Sequence, residues 1–145
     1  MIRSATAKDI PDLVNLACQL WPDAADDELA HEFGKQMGAA TNEFGLAIEE
    51  GQAVGFIQIS IRQDYVEGSE DHPAGYIEGI YVKPGSRKKG VGKSLLAYAK
   101  MWCRLRGLKE IGSDADVSNI ESHAFHESCG FKEVGKNIHF IMKVV

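Results

Sequence analysis

Between Gly75 and Met101 the chain reads GYIEGIYVKPGSRKKGVGKSLLAYAKM, and that order admits few folds. Tyr76, Ile77, Ile80, Tyr81 and Val82 are β-branched or aromatic, the mark of a largely buried strand. Pro84-Gly85-Ser86 stops it, because Pro84 donates no ladder hydrogen bond and Gly85 accepts turn conformations. A basic loop follows, Arg87-Lys88-Lys89-Gly90-Val91-Gly92, and then Leu95, Leu96, Tyr98, Ala99 and Trp102 recur at helical spacing. A strand, a basic glycine loop and a helix in that order make an anion site, since loop amides and a helix N-terminus converge on one phosphate group.

Three templates compete for that phosphate. A P-loop needs G-x-x-x-x-G-K-[ST]; Gly92-Lys93-Ser94 fits its end, but its leading glycine falls on Arg87. A dinucleotide fingerprint begins at Gly90-Val91-Gly92, but its third glycine falls on Leu95. The third template, R/Q-x-x-G-x-G/A, is matched in full by residues 87–92. With Glu78-Gly79-Ile80-Tyr81-Val82 before the loop, and Asn119 ahead of Phe125-His126-Glu127-Ser128-Cys129-Gly130-Phe131, the chain resembles the GNAT N-acetyltransferase superfamily. The resemblance implies acetyl-CoA as co-substrate. Its contacts would fall on the backbone of Ile80, Tyr81 and Val82, on the run Arg87, Lys88, Lys89, Gly90, Val91, Gly92, Lys93, and on Asn119.

The whole chain agrees with that order. Its 145 residues fit one domain, 1–145. Hydrophobic content of 44% and charged content of 26% are ordinary for a soluble globular protein. No apolar run approaches the ~20 residues that span a bilayer, and no signal peptide is visible, so a cytoplasmic location without membrane contact is expected. A net charge of −5 argues against a nucleic-acid partner. Cys18, Cys103 and Cys129 form no C-x-x-C pair and read as free thiols. His123, His126 and Cys129 fall three apart, but no second ligand cluster accompanies them, so no metal is expected.

Along the chain the pattern predicts a strand over 2–6, helices over about 7–20 and 26–37, and strands over 44–49 and 53–62. A polar lid over 64–74 precedes the central strand and helix. Then come a strand over 109–114, a helix over 120–129, and a closing hairpin over 131–134 and 138–144. This β-α-α-β-β-β-α-β-α-β-β order suits an α/β (α+β) fold. It is also the GNAT order, which implies a mixed, mostly antiparallel twisted sheet of six to seven strands with helices on both faces.

Four segments narrow the acceptor: QLWP at 19–22, SIRQDYVEG at 60–68, YIEGI at 76–80 and GSDAD at 112–116. Together they resemble the aminoglycoside 6′-N-acetyltransferases, bacterial resistance enzymes. That resemblance implies antibiotic contacts at Trp21, Tyr65, Glu78 and Asp114, and a homodimer. Aminoglycosides are polycationic amino sugars, so carboxylates at Glu78 and Asp114 suit charge-assisted hydrogen bonds, while Trp21 and Tyr65 suit stacking on sugar rings. Direct transfer is expected, because no Ser-His-Asp or Cys-His pairing is visible. Glu78 is the expected base, acting through water, and the Val82 N–H the expected oxyanion donor. His126 stands where many GNAT enzymes carry a tyrosine, and is the expected acid for the leaving thiolate. Another amine acceptor, such as a polyamine or a protein N-terminus, and a non-catalytic acyl-CoA-binding module remain open at this point.

Overall fold

A computed structural model describes residues 1–145. By its internal contacts the chain divides into two compact units, Met1–Ser113 and Asp114–Val145. The first contains β1 (Ile2–Ser4), α1 (Ile10–Leu20), α2 (Asp26–Met37), β2 (Asn42–Glu49), β3 (Gln52–Arg62), β4 (Ala74–Val82), α3 (Val91–Leu105) and β5 (Ile111–Ser113). The second contains α4 (Ile120–Ser128).

The strands of the first unit form one sheet in the order β1-β2-β3-β4-β5. Pairing is antiparallel from β1 through β4, whereas β5 joins β4 in parallel. Glu50 and Gly51 both have positive φ and close β2 onto β3 in a two-residue turn of the primed type, whose twist matches that of the strands. β3 is buried over Val54–Ser60, as a central strand covered on both faces must be. On one face Phe44, Leu46 and Phe56 join Leu13, Leu16 and Ala17 of α1 and Leu29 and Phe33 of α2 in a buried cluster. On the other face lies α3: Gly45 stands against the Tyr98 ring, and a Cβ at Gly75 would come within 2.6 Å of the Cys103 Sγ. Helices therefore cover both faces of the sheet.

At the entry to α1, the Arg3 guanidinium forks onto Asp9 with two bonds of 2.8 Å, and the Thr6 N–H donates to Asp9 Oδ2 at 2.8 Å. The Arg3 fork, followed by the Thr6 amide, holds the Asp9 carboxyl well below the usual carboxylate range. That pairing ties β1 to the first turn of the helix.

The mixed, mostly antiparallel sheet is as the sequence predicts, but it has five strands rather than six or seven. The missing pair is the closing hairpin expected over 131–134 and 138–144: residues 131–145 form no strand. Ile138, Phe140, Ile141, Met142 and Val144 are between 80% and 99% exposed. Apolar alternation specifies which face of a strand seeks cover, but a ladder also needs a neighbouring strand. Within Asp114–Val145 the helix α4 is the sole regular element, so that unit supplies no strand to pair with.

Candidate active site

The chemistry of the first unit centres on β4. The β3–β4 ladder pairs Ile59 with Ile77 and Gln58 with Gly79, so the register shifts there and Glu78 is passed over. Such a bulge kinks a strand and re-aims its side chains. Glu78, on the same face as Tyr76, reaches Ser60 and Arg62 of β3: Ser60 Oγ donates to Glu78 Oε2 at 2.5 Å, Arg62 Nε to Oε2 at 3.0 Å, and Arg62 Nη2 to Oε1 at 2.8 Å. The Arg62 guanidinium also lies 3.5 Å over the centre of the Tyr76 ring.

Beyond the bulge, Gly79 faces the end of α1. A Cβ there would stand 2.7 and 2.8 Å from carbons of the Trp21 ring, so glycine leaves the room that the indole takes at this point of β4. Trp21 follows the last residue of α1, with its N–H on the Ala17 carbonyl at 2.7 Å, and its ring meets Phe56 edge-on at 6.3 Å. Tyr81 Oη donates to Gln19 Oε1 at 3.0 Å and fastens the same helix end to β4.

Trp21 and Glu78 share one open cleft of ≈ 440 Å3, whose wall also includes Glu32, Gln36, Asn42 and Gln58. The buried Gln58 donates to Gln36 Oε1 at 3.0 Å, which satisfies a polar group inside an otherwise apolar strand. Two carboxylates, several amides and an aromatic wall suit a polar cation with hydrogen-bonding groups. Glu32, Gln36, Gln58, Ser60 and Arg62 carried no assigned role in the sequence. Gln58 left a signal, a lone amide in the run AVGFIQISI, but its α2 partner did not.

The other edge of β4 is open toward its end. Pairing with β5 ends at Ile77 opposite Ser113, well short of Val82. The Lys83 N–H donates to the Val54 carbonyl at 2.8 Å, and amide directions alternate along an antiparallel strand, so the Val82 N–H points away from β3. Next comes the basic loop. Gly90, at φ 84°, caps α3 without a side-chain bond, so the first amides of that helix present themselves to a ligand. Lys88 also has positive φ, at 62°, which turns the loop, and Arg87 Nε donates back to the Val82 carbonyl at 2.8 Å. Lys88, Lys89 and Lys93 are exposed around these amides.

Of the remaining expected residues, Tyr65 belongs to the first unit, and Asp114, Asn119 and His126 to the second. Tyr65, 63% exposed, accepts the Gly68 N–H on its Oη at 3.1 Å and stands edge-on to His72; it is not part of the cleft wall. Asp114 is exposed at the start of the second unit. There Asn119 caps α4, its Oδ1 accepting from the Ser122 N–H at 3.1 Å, which leaves the amide NH2 as its donor end. His126 Nδ1 is 2.7 Å from the Ser122 carbonyl oxygen, and its ring is set between Phe125 and Phe131. A carbonyl only accepts, so Nδ1 carries a proton and Nε2 is the donor only when the ring is cationic.

The three thiols are free. Burial pushes Cys103 up to about 11, and a hydrogen bond to Asp26 raises Cys18, so neither is poised as a thiolate. No group of three or more His, Cys, Asp or Glu side chains is arranged to hold a metal ion.

The contact of Gly79 with Trp21 is directly testable. Gly79→Ala is expected to lower stability by about 1–3 kcal/mol, the usual cost of overpacking, and to alter tryptophan emission as the indole shifts. Urea unfolding and fluorescence check it; an unchanged midpoint with an unchanged spectrum would contradict the packing described.

Comparison with known proteins agrees with this arrangement. The Acetyltransferase (GNAT) family model matches residues 10–131. The chain is 39% identical over 143 residues to an aminoglycoside N(6′)-acetyltransferase type 1 of Stenotrophomonas maltophilia, covering 97% of this chain and 92% of the relative. With a protein of the same description from Acinetobacter haemolyticus it shares 34% identity over 150 residues, covering 99% and 98%. Among solved structures, the apo aminoglycoside antibiotic 6′-N-acetyltransferase AAC(6′)-IG of Acinetobacter haemolyticus superposes with a TM-score of 0.93 at 33% identity, covering 100% of this chain and 99% of that one. AAC(6′)-Iy in complex with the bisubstrate analogue CoA-S-monomethyl-acetylneamine gives a TM-score of 0.93 at 32% identity, covering 99% and 97%. A strand bulged at a glutamate, an adjoining glycine loop that presents helix amides, and a family match across most of the sequence lead to one assignment: the chain belongs to the GNAT acetyltransferase family.

Proposed function

We propose that the protein transfers the acetyl group of acetyl-CoA to the 6′-amino group of aminoglycoside antibiotics by direct attack, and so confers resistance. The observation that carries this reading is the position of Glu78. Its carboxylate stands at a bulge of β4, beside an open cleft with an aromatic and acidic wall, and the same strand runs on into the phosphate loop. Relatives described as aminoglycoside 6′-N-acetyltransferases, at 34–39% identity over nearly the whole chain, support the acceptor class.

In this reading the pyrophosphate of acetyl-CoA lies on the Arg87–Lys93 loop and the first amides of α3, where the helix dipole and the lysines favour a divalent anion. Asn119 contributes a donor to the same cofactor. The thioester extends along the backbone of Ile80–Val82, and the Val82 N–H stabilises the oxyanion as the amine adds to the carbonyl carbon. The substrate ammonium loses a proton before it attacks, and Glu78 accepts it through a water. Trp21 and Tyr65 hold sugar rings, and Asp114 binds a further ammonium. The nitrogen of the tetrahedral intermediate gives its second proton to water, the C–S bond breaks as the carbonyl re-forms, and His126, as imidazolium, gives the departing sulfur its proton through Nε2.

Residues 1–145 act as one N-acetyltransferase domain in the cytoplasm; the family match spans residues of both units, and no helix is long and apolar enough to cross a membrane. The protein works as a homodimer. The exposed Ile138, Phe140, Ile141, Met142 and Val144 support that state, because a contiguous apolar segment in water favours association. Light scattering after gel filtration should return about twice the chain mass of 15.9 kDa; a mass of one chain at micromolar concentration, on the scale expected for interfaces of standard size, would remove the dimer.

Glu78→Gln tests the assignment of the acceptor side. It keeps the shape of the side chain and removes its charge. The kcat/KM for a 6′-amino aminoglycoside should fall about 100-fold or more, while the KM for acetyl-CoA stays within about twofold. Equal losses toward both substrates would show that Glu78 serves neither amine binding nor proton removal.

A further inference from the structure

We infer that Arg62, together with Ser60, is a positioning residue that sets the orientation of the Glu78 carboxylate and leaves it one acceptor place, on Oε1, for the water through which it takes the proton of the acceptor amine. This rests on the reading of Glu78 as the group that receives that proton.

An ionised carboxylate offers about four acceptor places, two on each oxygen. Ser60 Oγ and Arg62 Nε occupy both places on Oε2, and Arg62 Nη2 occupies one on Oε1. The remaining place is therefore on Oε1. The Glu78 side chain is 28% exposed and belongs to the cleft wall, so that place is open to a ligand.

The two donors are themselves fixed. Ser60 is buried on β3, directly opposite Tyr76 in the ladder. Arg62 is held in its plane by the buried Tyr76 ring beneath it, at 3.5 Å. A planar fork stacked on an aromatic ring fixes both the position and the rotation of the carboxylate, and a lysine ammonium could do neither. Alternation from Tyr76, which stands opposite Ser60, places Glu78 on the β3 face that carries Ser60 and Arg62, and the bulge adds Gly79 to the same face. The water at Oε1, and the amine hydrogen-bonded to it, are thus held along one direction, and direction of attack is where misplacement is costly, about 100-fold for an error near 1 Å.

The test is steady-state kinetics of wild type, Arg62→Ala, Arg62→Lys and Ser60→Ala with a 6′-amino aminoglycoside, alongside thermal midpoints. Arg62→Ala is expected to lower kcat about 10–100-fold, with the KM for acetyl-CoA within about twofold of wild type. Arg62→Lys restores the charge but not the fork, so its kcat should stay within about threefold of Arg62→Ala. Ser60→Ala, the smaller change and the second variant should Arg62→Ala fail to fold, should lower kcat about 3–10-fold at an unchanged thermal midpoint. Wild-type kcat/KM in Arg62→Ala, full recovery in Arg62→Lys, or unchanged kcat in Ser60→Ala each overturns the positioning role while leaving the acetyltransferase reading intact. Absence of turnover by the wild type itself overturns the proposed acceptor, and the role of Arg62 with it.

Discussion

One skipped pairing in the β3–β4 ladder organises the candidate active site. An antiparallel strand alternates its side chains strictly, and without an irregularity Glu78 and Gly79 would face opposite sides of the sheet. Because the ladder passes from Ile77 opposite Ile59 to Gly79 opposite Gln58, both residues serve the face covered by α1 and α2. Glu78 meets Ser60 and Arg62 there, Gly79 admits Trp21, and Ile80 and Val82 continue on the opposite alternation toward the basic loop. In the proposed mechanism the two demands on β4, a carboxylate for an amine and a backbone for an acyl group, fall within a few residues of one strand.

Charge follows the same division. The loop after β4 concentrates Arg87, Lys88, Lys89 and Lys93 around amides that carry the positive end of a helix, while the cleft by α2 sets Glu32 and Glu78 beside polar amides. A chain with net charge −5 thus keeps a cationic loop suited to an anion and an acidic cleft suited to a cation. Arg62 is the exception on the acidic side. Its fork on Glu78 and its stack on Tyr76 make it part of the framework that aims the carboxylate.

Much of this was legible in the sequence. Period-3.6 spacing found α1, α2 and α3, turn residues bounded β2, β3 and β4, and the glycine loop marked the turn into α3, because those signals are local. Trp21 and Glu78, far apart in the chain, do share a cleft. Three things were not legible, each for a physical reason. A bulge is a property of two strands, so the alternation of YIEGI does not reveal which residue the ladder omits. The Ser60 and Arg62 contacts depend on that register and stayed hidden with it. In the tail, Ile138-His139-Phe140-Ile141-Met142 reads as a strand by alternation and composition, yet a strand forms only against a partner, and residues 131–145 form none in this chain.

The central claim is that β4 presents an acyl group to an amine bound at Glu78. Thiol release from acetyl-CoA, followed with the purified protein in the presence of a 6′-amino aminoglycoside and of its 6′-hydroxyl counterpart, tests that claim most directly. The account predicts turnover with the amine and none with the hydroxyl compound, since only the amine supplies the nucleophile at the position Glu78 serves. Equal rates with both compounds, or thiol release with neither, would contradict it.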